Sequence, residues 1–317
     1  MPYGAFGKTY KSASELVKLL KSRGLVIEDE TRAERYLSNI GYYRLSAYMY
    51  PFLQEPKTDH RFKNGTRFEQ ILRLYRFDKK LRVTLFNEIE KIEIAFRQAV
   101  ANTTAEMSGD MYWMTNPVSY SNPGKASHSI GLISTEYKRS TEDFAVHFKN
   151  TYSEPFPPAW ILGEILPLGN ITWLYSNLAD QRIRKAIAKK FYLQPPVLDS
   201  WMTVITLTRN ACCHHARMWN KVNSIVAGDM KKMTRPWISP TTDKRRVYSN
   251  ICLIKYFLDI ISPSNDFREK LELLFKSFPE IDLRAMGFPT DWKQEPLWKS
   301  AKPSKGCFIK RLLHLKK

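Results

Sequence analysis

Between Arg67 and about Met107 the chain holds neither proline nor glycine. Ile71, Leu74, Leu81, Leu85, Ile89, Ile92, Phe96 and Val100 recur there at helical spacing. This period predicts one helix of up to about 40 residues, long enough to be the spine of a bundle. Shorter helices precede it. Ser14 is placed to cap one that runs through Leu20 and closes at Gly24, and a second covers Asp29 to Asn39 and stops at Gly41. In the run Gly41 to Phe52, Tyr42, Leu45, Met49 and Phe52 form one helical stripe, which Pro51 and Pro56 end.

Residues 108–131 combine Pro117, Pro123, Gly109, Gly124 and Gly131 with Ser and Asn, and so predict a loop. Helices are expected again over Ser134 to Phe148 and over Pro158 to Leu178, the latter broken at Pro167-Leu168-Gly169. Further helices are expected over Asp180 to Phe191, Pro196 to about Asn223, Asp243 to Ile261 and Asn265 to Phe278. The basic, proline-bearing run Gly228 to Thr242 predicts extended chain. No strand series, internal repeat or glycine-rich phosphate loop stands out. The pattern gives an all-α protein in three segments: an N-terminal helical region (1–60), a helical bundle core (61–226) and a basic C-terminal helical extension and tail (227–317).

Composition narrows the partners. Lys and Arg number 50 against 31 Asp and Glu, a formal charge of +19, yet 43% of the 317 residues are hydrophobic and 13% aromatic. A packed core is therefore expected, not a disordered basic tail. The excess cation calls for a polyanion, either nucleic acid or an anionic membrane surface. The most apolar runs, Trp160 to Tyr175 and Ile251 to Ile261, are interrupted by Glu164, Pro167, Lys255 and Asp259. Neither reaches the roughly 20 apolar residues of a bilayer span, and the first residues lack the apolar run of a signal peptide. Four cysteines make no disulfide framework in a chain this long, so a reducing cytoplasm is expected, with no membrane partner.

Candidate chemistry concentrates in Val204 to Val222. On a helical wheel, Arg209, Asn210, Cys213, His214, Arg217 and Lys221 share an arc of about 140°. His215 falls on the opposite arc with Met218, Trp219 and Val222. Arginine presents a planar fork of donors to phosphate oxygens, and histidine exchanges protons near neutral pH. The same residues also describe a solvated helix face that happens to carry a histidine. Zinc binding by Cys212, Cys213, His214 and His215 is excluded, because four successive helical residues point in four directions. No metal and no cofactor is implied.

Arg209-Asn210-x3-His214 fits the R-x4-6-H motif of HEPN ribonucleases. The longer run from Arg209 to Asn220 resembles the Abi family of bacterial abortive-infection proteins, of AbiD/AbiF type. The resemblance extends to the Gly41–Tyr48 run GYYRLSAY, to FDKKLR at Phe77 to Arg82, to IEKIEIAFR at Ile89 to Arg97, and to Pro157-Pro158-Ala159-Trp160 with Glu164. Together these blocks cover roughly residues 10 to 225. The resemblance implies a HEPN-like bundle that homodimerises, joins two motifs in one cleft and cuts RNA without metal, leaving a 2′,3′-cyclic phosphate. In that scheme His214 is the general base or acid, Arg209 stabilises phosphoryl charge, and Asn210 orients the phosphate or His214. It also implies a toxin-like role in phage defence, restrained by a small structured RNA.

Arg217 and Lys221 are expected to grip RNA, and so are Lys231, Lys232, Arg245, Arg246 and the tail at 302–317. Glu93 and Arg97, four residues apart, could face the cleft or form an ordinary salt bridge. Arg44, among Tyr42, Tyr43, Tyr48 and Tyr50, could stack on bases or snorkel from an aromatic core helix. The same basic face would also serve a non-catalytic RNA-binding protein that forms a ribonucleoprotein.

Overall fold

The longest element is the helix that the hydrophobic period predicts. In the computed structural model, which describes residue 7 and residues 9–230, 232–240 and 242–299, α4 runs unbroken over Phe68–Ser108. Ile71, Leu74, Leu81, Leu85, Ile89, Ile92, Phe96 and Val100 are all buried along it. Before it come α1 (Ala13–Ser22), α2 (Glu30–Ile40) and α3 (Tyr42–Met49). After it come α5 (Pro123–Arg139), α6 (Asp143–Thr151), α7 (Ala159–Ile165), α8 (Leu168–Asn177), α9 (Gln181–Lys190) and α10 (Pro195–Cys213). The last are α11 (Val247–Ile261), α12 (Phe267–Ser277) and the single turn α13 (Pro296–Lys299). Among the described residues there is no strand beyond isolated bridges, and the fold is all-α.

The chain forms two compact units. Among the described residues, one contains those up to Leu81 together with Leu274–Ile281, and the other contains those of Arg82–Leu273 and from Asp282 to Lys299. These bounds differ from the segments 1–60, 61–226 and 227–317. The boundary between the units falls inside the unbroken α4. In the first unit Phe77 packs on Phe275 and Phe278, with ring centroids 6.3 and 5.6 Å away, and the buried Tyr48 hydroxyl donates to Asp78 Oδ2 at 2.6 Å. In the second unit α11 is the most deeply placed helix, with every residue from Val247 to Leu258 buried. A helix buried on all sides has no face for solvent, so neighbours must surround it.

Three local readings are corrected. The cap of α1 is Ser12, whose hydroxyl accepts from the Glu15 amide while the Glu15 carboxylate accepts from the Ser12 amide at 2.7 Å; Ser14 lies inside the helix. The stretch 108–131 is not all loop. Asn122 caps α5 by accepting from the Lys125 amide at 2.9 Å, and Pro123 occupies the first helical position, where its missing N–H costs nothing. The helix expected over Ser134 to Phe148 is two helices, broken at Ser140–Glu142. The break at Pro167 is present, between α7 and α8.

One buried charge ties α4 to α12 within the second unit. Glu88 has no solvent exposure, and its carboxylate accepts from Lys91 and from Lys270, both at 2.7 Å. Burial alone would push this carboxyl up, but the hydrogen bonds from Lys270 and Lys91 outweigh it and hold it below the ordinary glutamate value. A carboxyl lowered by folding stabilises the protein above the usual carboxylate range, and that contribution is lost as pH falls below it. Replacing Lys91 and Lys270 together by Met strands the anion and should cost about 3–5 kcal/mol. Glu88→Gln should cost less, because both lysines can reach water. Thermal unfolding of the three proteins should show that order, and Glu88→Gln should flatten the loss of stability on acidification.

Candidate functional site

Helix α10 ends one residue before His214, not near Asn223. The His215 amide donates to the Cys212 carbonyl at 3.1 Å and the Ala216 amide to the Ala211 carbonyl at 2.8 Å, while His215 takes φ +57°. This pairing of amides with the last carbonyls is the usual closure of a helix around a left-handed residue. Glycine normally fills that position, but histidine is among the side chains enriched there. Arg82 supports the turn from α4: its guanidinium, 4% exposed, donates to the Ala216 carbonyl at 3.3 Å. Met218 and Trp219 then turn into the interior, and the Trp219 indole reaches the Asp282 carbonyl at 3.4 Å.

The helical arc expected over 204–222 therefore exists only as far as Cys213. Arg209 and Asn210 lie on the last turns of α10, and His214 is its C-terminal capping residue, exposed, with its amide on the Asn210 carbonyl at 2.9 Å. His215 is exposed and does not join Met218 and Trp219 in the core. Arg217 and Lys221, both half-buried, follow in non-helical chain and do not continue the face of Arg209.

Arg209 is set by α4. Its guanidinium lies 5.8 Å over the exposed Phe86 ring, and its Nε stands 3.4 Å from Glu93 Oε2. That is ion-pair distance, but Nε is sheltered from water and makes no hydrogen bond. The attraction holds the side chain in place without using that donor. Glu93 also accepts from Arg97 at 3.0 Å, one turn further along α4. Arg97 donates to the Leu166 carbonyl at 3.3 Å and stands 3.6 Å from Glu164, which accepts from Gln98 at 2.7 Å. Glu93 and Arg97 thus form a salt bridge that is also part of the Arg209 cluster. The Arg97 side chain, 12% exposed, is an internal strut. Gly163 of α7 faces it, and an added Cβ there would be in ordinary contact with Arg97 Cγ at 3.5 Å.

The other sequence-selected cations separate. Arg246 is half-buried, donates to the Asn220 side chain at 3.0 Å, and lies against Gly287, where a Cβ would come within 2.4 Å of Arg246 Cβ. It is an internal clamp. Arg245 and Lys232 are exposed. Arg44 is exposed on α3, within the first unit, where Tyr48 is buried while Tyr43 and Tyr50 are exposed. Lys231 and the tail at 302–317 lie outside the described residues. Sequence reasoning missed Phe86, Arg82 and the part played by α11. The helical stripe that exposes Phe86 on the face of Glu93 was a usable signal for the first. Among the described residues no group of three or more His, Cys, Asp or Glu is arranged to hold a metal ion, and no helix is long and apolar enough to cross a membrane.

Helix α11 reaches the motif through one polar residue. Asn250, 5% exposed, donates to the Thr208 hydroxyl at 2.9 Å, directly before Arg209, and its own oxygen accepts from Asn223 at 3.4 Å. Both flanks of the motif are therefore tied to the most buried helix of the unit.

An all-α protein whose bundle helix ends in Arg209-x4-His214, braced by a long central helix, is the class that these features define. A family model described as Abi-like protein matches residues 35–220, more than half the chain, and the chain belongs to that family. Membership ties it to abortive infection, a form of phage defence. No curated protein and no solved structure matches the chain. Asn250→Ala should lower unfolding free energy by about 1–3 kcal/mol, because it removes a donor and an acceptor from buried partners. Denaturant unfolding would measure it, and an unchanged midpoint would mean that Asn250 does not tie α11 to the motif.

Proposed function

We propose that this protein is a metal-independent endoribonuclease of phage defence, acting as a homodimer and restrained by a bound small structured RNA. The observation that carries this reading is the end of α10. There Arg209 is held between Glu93 and Phe86, and His214 is exposed at the helix cap five residues on. An arginine and an exposed histidine five residues apart at one helix end are the residue types that phosphodiester transesterification uses. The ribose 2′-oxygen attacks the adjacent phosphorus while its proton passes to a His214 imidazole. The bond from phosphorus to the 5′-oxygen breaks, and a protonated histidine supplies the proton to that oxygen. Two copies of the motif in a dimer would provide both histidines. Arg209 would meet the charge gathering on the non-bridging oxygens, and Asn210 would orient the phosphate or His214. Products are a 2′,3′-cyclic phosphate and a 5′-hydroxyl.

A second reading draws on the ion pair. Glu93 partly neutralises Arg209 and would compete with phosphate for it. The terminal nitrogens of Arg209 could still hold a phosphate of bound RNA while the pairing reduces the charge available to a transition state, which suits a protein that clamps RNA without cutting it. The two readings separate on one variant. With purified protein in EDTA, the wild type should convert RNA to fragments with cyclic-phosphate ends. His214→Ala should abolish conversion and cellular toxicity while RNA affinity is kept. Cleavage by His214→Ala at the wild-type rate would remove the enzyme reading. Absence of cyclic-phosphate ends from any RNA given to the wild type would leave the clamp. Arg209→Ala and Arg217→Ala should then weaken binding and lower its salt dependence.

A further inference from the structure

Helix α9 carries five basic side chains in ten residues and no acidic one. Two are already engaged: Arg182 by Asp180 at the helix cap, and Arg184 by Asp199 of α10. Lys185, Lys189 and Lys190 are exposed, and none of them is ion-paired among the described residues. Lys185 and Lys189 stand one turn apart, about 5–6 Å between Cβ atoms. The carboxylates on either side, Asp180 and Asp199, face the two paired arginines.

The helix ends in an uncommon way. The Tyr192 amide donates to the Lys189 carbonyl at 3.0 Å, the Leu193 amide to the Ala188 carbonyl at 3.1 Å, and Tyr192 takes φ +56°. Glycine is the ordinary occupant of that position, and a bulky side chain there is an outlier. The strain is not offset by burying the ring, since Tyr192 is 51% exposed. The Arg235 guanidinium lies 5.0 Å from the ring centroid and is itself fixed by donation to the Asp259 carbonyl at 3.3 Å. The Tyr192 backbone is pinned as well, its carbonyl within 3.5 Å of the Tyr256 hydroxyl. A half-open aromatic ring backed by a guanidinium therefore follows, two residues after Lys190, a helix with three exposed lysines that are not ion-paired among the described residues.

We propose that Lys185, Lys189, Lys190 and the Tyr192–Arg235 pair form a binding surface for a single-stranded segment of RNA, in addition to the Arg209–His214 pair. Lysines one turn apart neutralise successive phosphates, and a fixed aromatic ring accepts an unstacked base whatever its identity. A duplex offers the phosphates but no free base face. The inference rests on the RNA-directed reading of the protein, and it names a surface that this reading does not require.

The test uses the full chain carrying His214→Ala, so that the probe stays intact, with fluorescein-labelled single-stranded and duplex RNA titrated over a range of KCl concentrations. Replacing Lys185, Lys189 and Lys190 by Gln should lower the salt slope for the single strand by about 2, the value for three phosphates. Tyr192→Gly removes the ring and relieves the backbone, so folding is protected. It should weaken single-strand binding about 5- to 150-fold, leave the slope unchanged, and affect duplex binding little; Tyr192→Phe should restore affinity. Lysine and tyrosine variants that match the parent in affinity and slope, while the parent binds RNA, would overturn the surface and leave the proposed function standing. A parent that binds no RNA at all would overturn both. Loss of binding to phosphatidylserine vesicles by the lysine variant, with RNA affinity unchanged, would overturn it in favour of a membrane surface.

Discussion

The burial of α11 from Val247 to Leu258 is the constraint on which the larger unit depends. Twelve successive residues, Val247 to Leu258, are withdrawn from solvent, and the polar ones among them need internal partners. Lys255 takes Asp259, and Asn250 takes Thr208 and Asn223. The second arrangement fixes α10 just ahead of Arg209 and fixes the chain again beyond Trp219. A helix that lies past the family-matched residues 35–220 thus sets the position of the motif inside them. It is part of the core that makes the site rigid.

Helices α9 and α10 end by the same device, and in both the left-handed residue has a side chain. Tyr192 and His215 stand where glycine would be least strained. At α10 this closure places His214 at the exposed cap and turns Met218 and Trp219 inward. At α9 it displays an aromatic ring beside lysines. Strain of this kind persists only when the surroundings over-determine it, and here Arg82, Tyr256 and Arg235 provide that support.

The charge excess of +19 divides by how each cation is held. Arg97, Arg184 and Arg246 are structural struts, each paired and part-buried. Arg209 is paired with Glu93 through its sheltered Nε, and its guanidinium lies over Phe86. Lys185, Lys189, Lys190, Lys232 and Arg245 are exposed. Counting cations thus overstates the surface open to a polyanion, because an arginine inside an ion-pair network contributes to helix packing before it contributes to binding.

The sequence by itself determined the all-α class, the long α4, the Pro167 break and the residue types of the R-x4-H motif, because helical period and proline act over a few residues. It also placed Glu93 and Arg97 one turn apart, which defines their salt bridge locally. It misjudged α5, where Asn122 and Pro123 resemble loop punctuation until the Lys125 amide is seen to be capped. It carried α10 too far, because no glycine or proline marks the end after Cys213. Only the tertiary structure decided that end. The left-handed turn at His215 is stabilised because Arg82, remote in sequence, donates to the Ala216 carbonyl, and because Met218 and Trp219 gain burial. The same holds for Arg209: a helical wheel places it on a face, but Glu93 and Phe86 of another helix determine which way its charge is held.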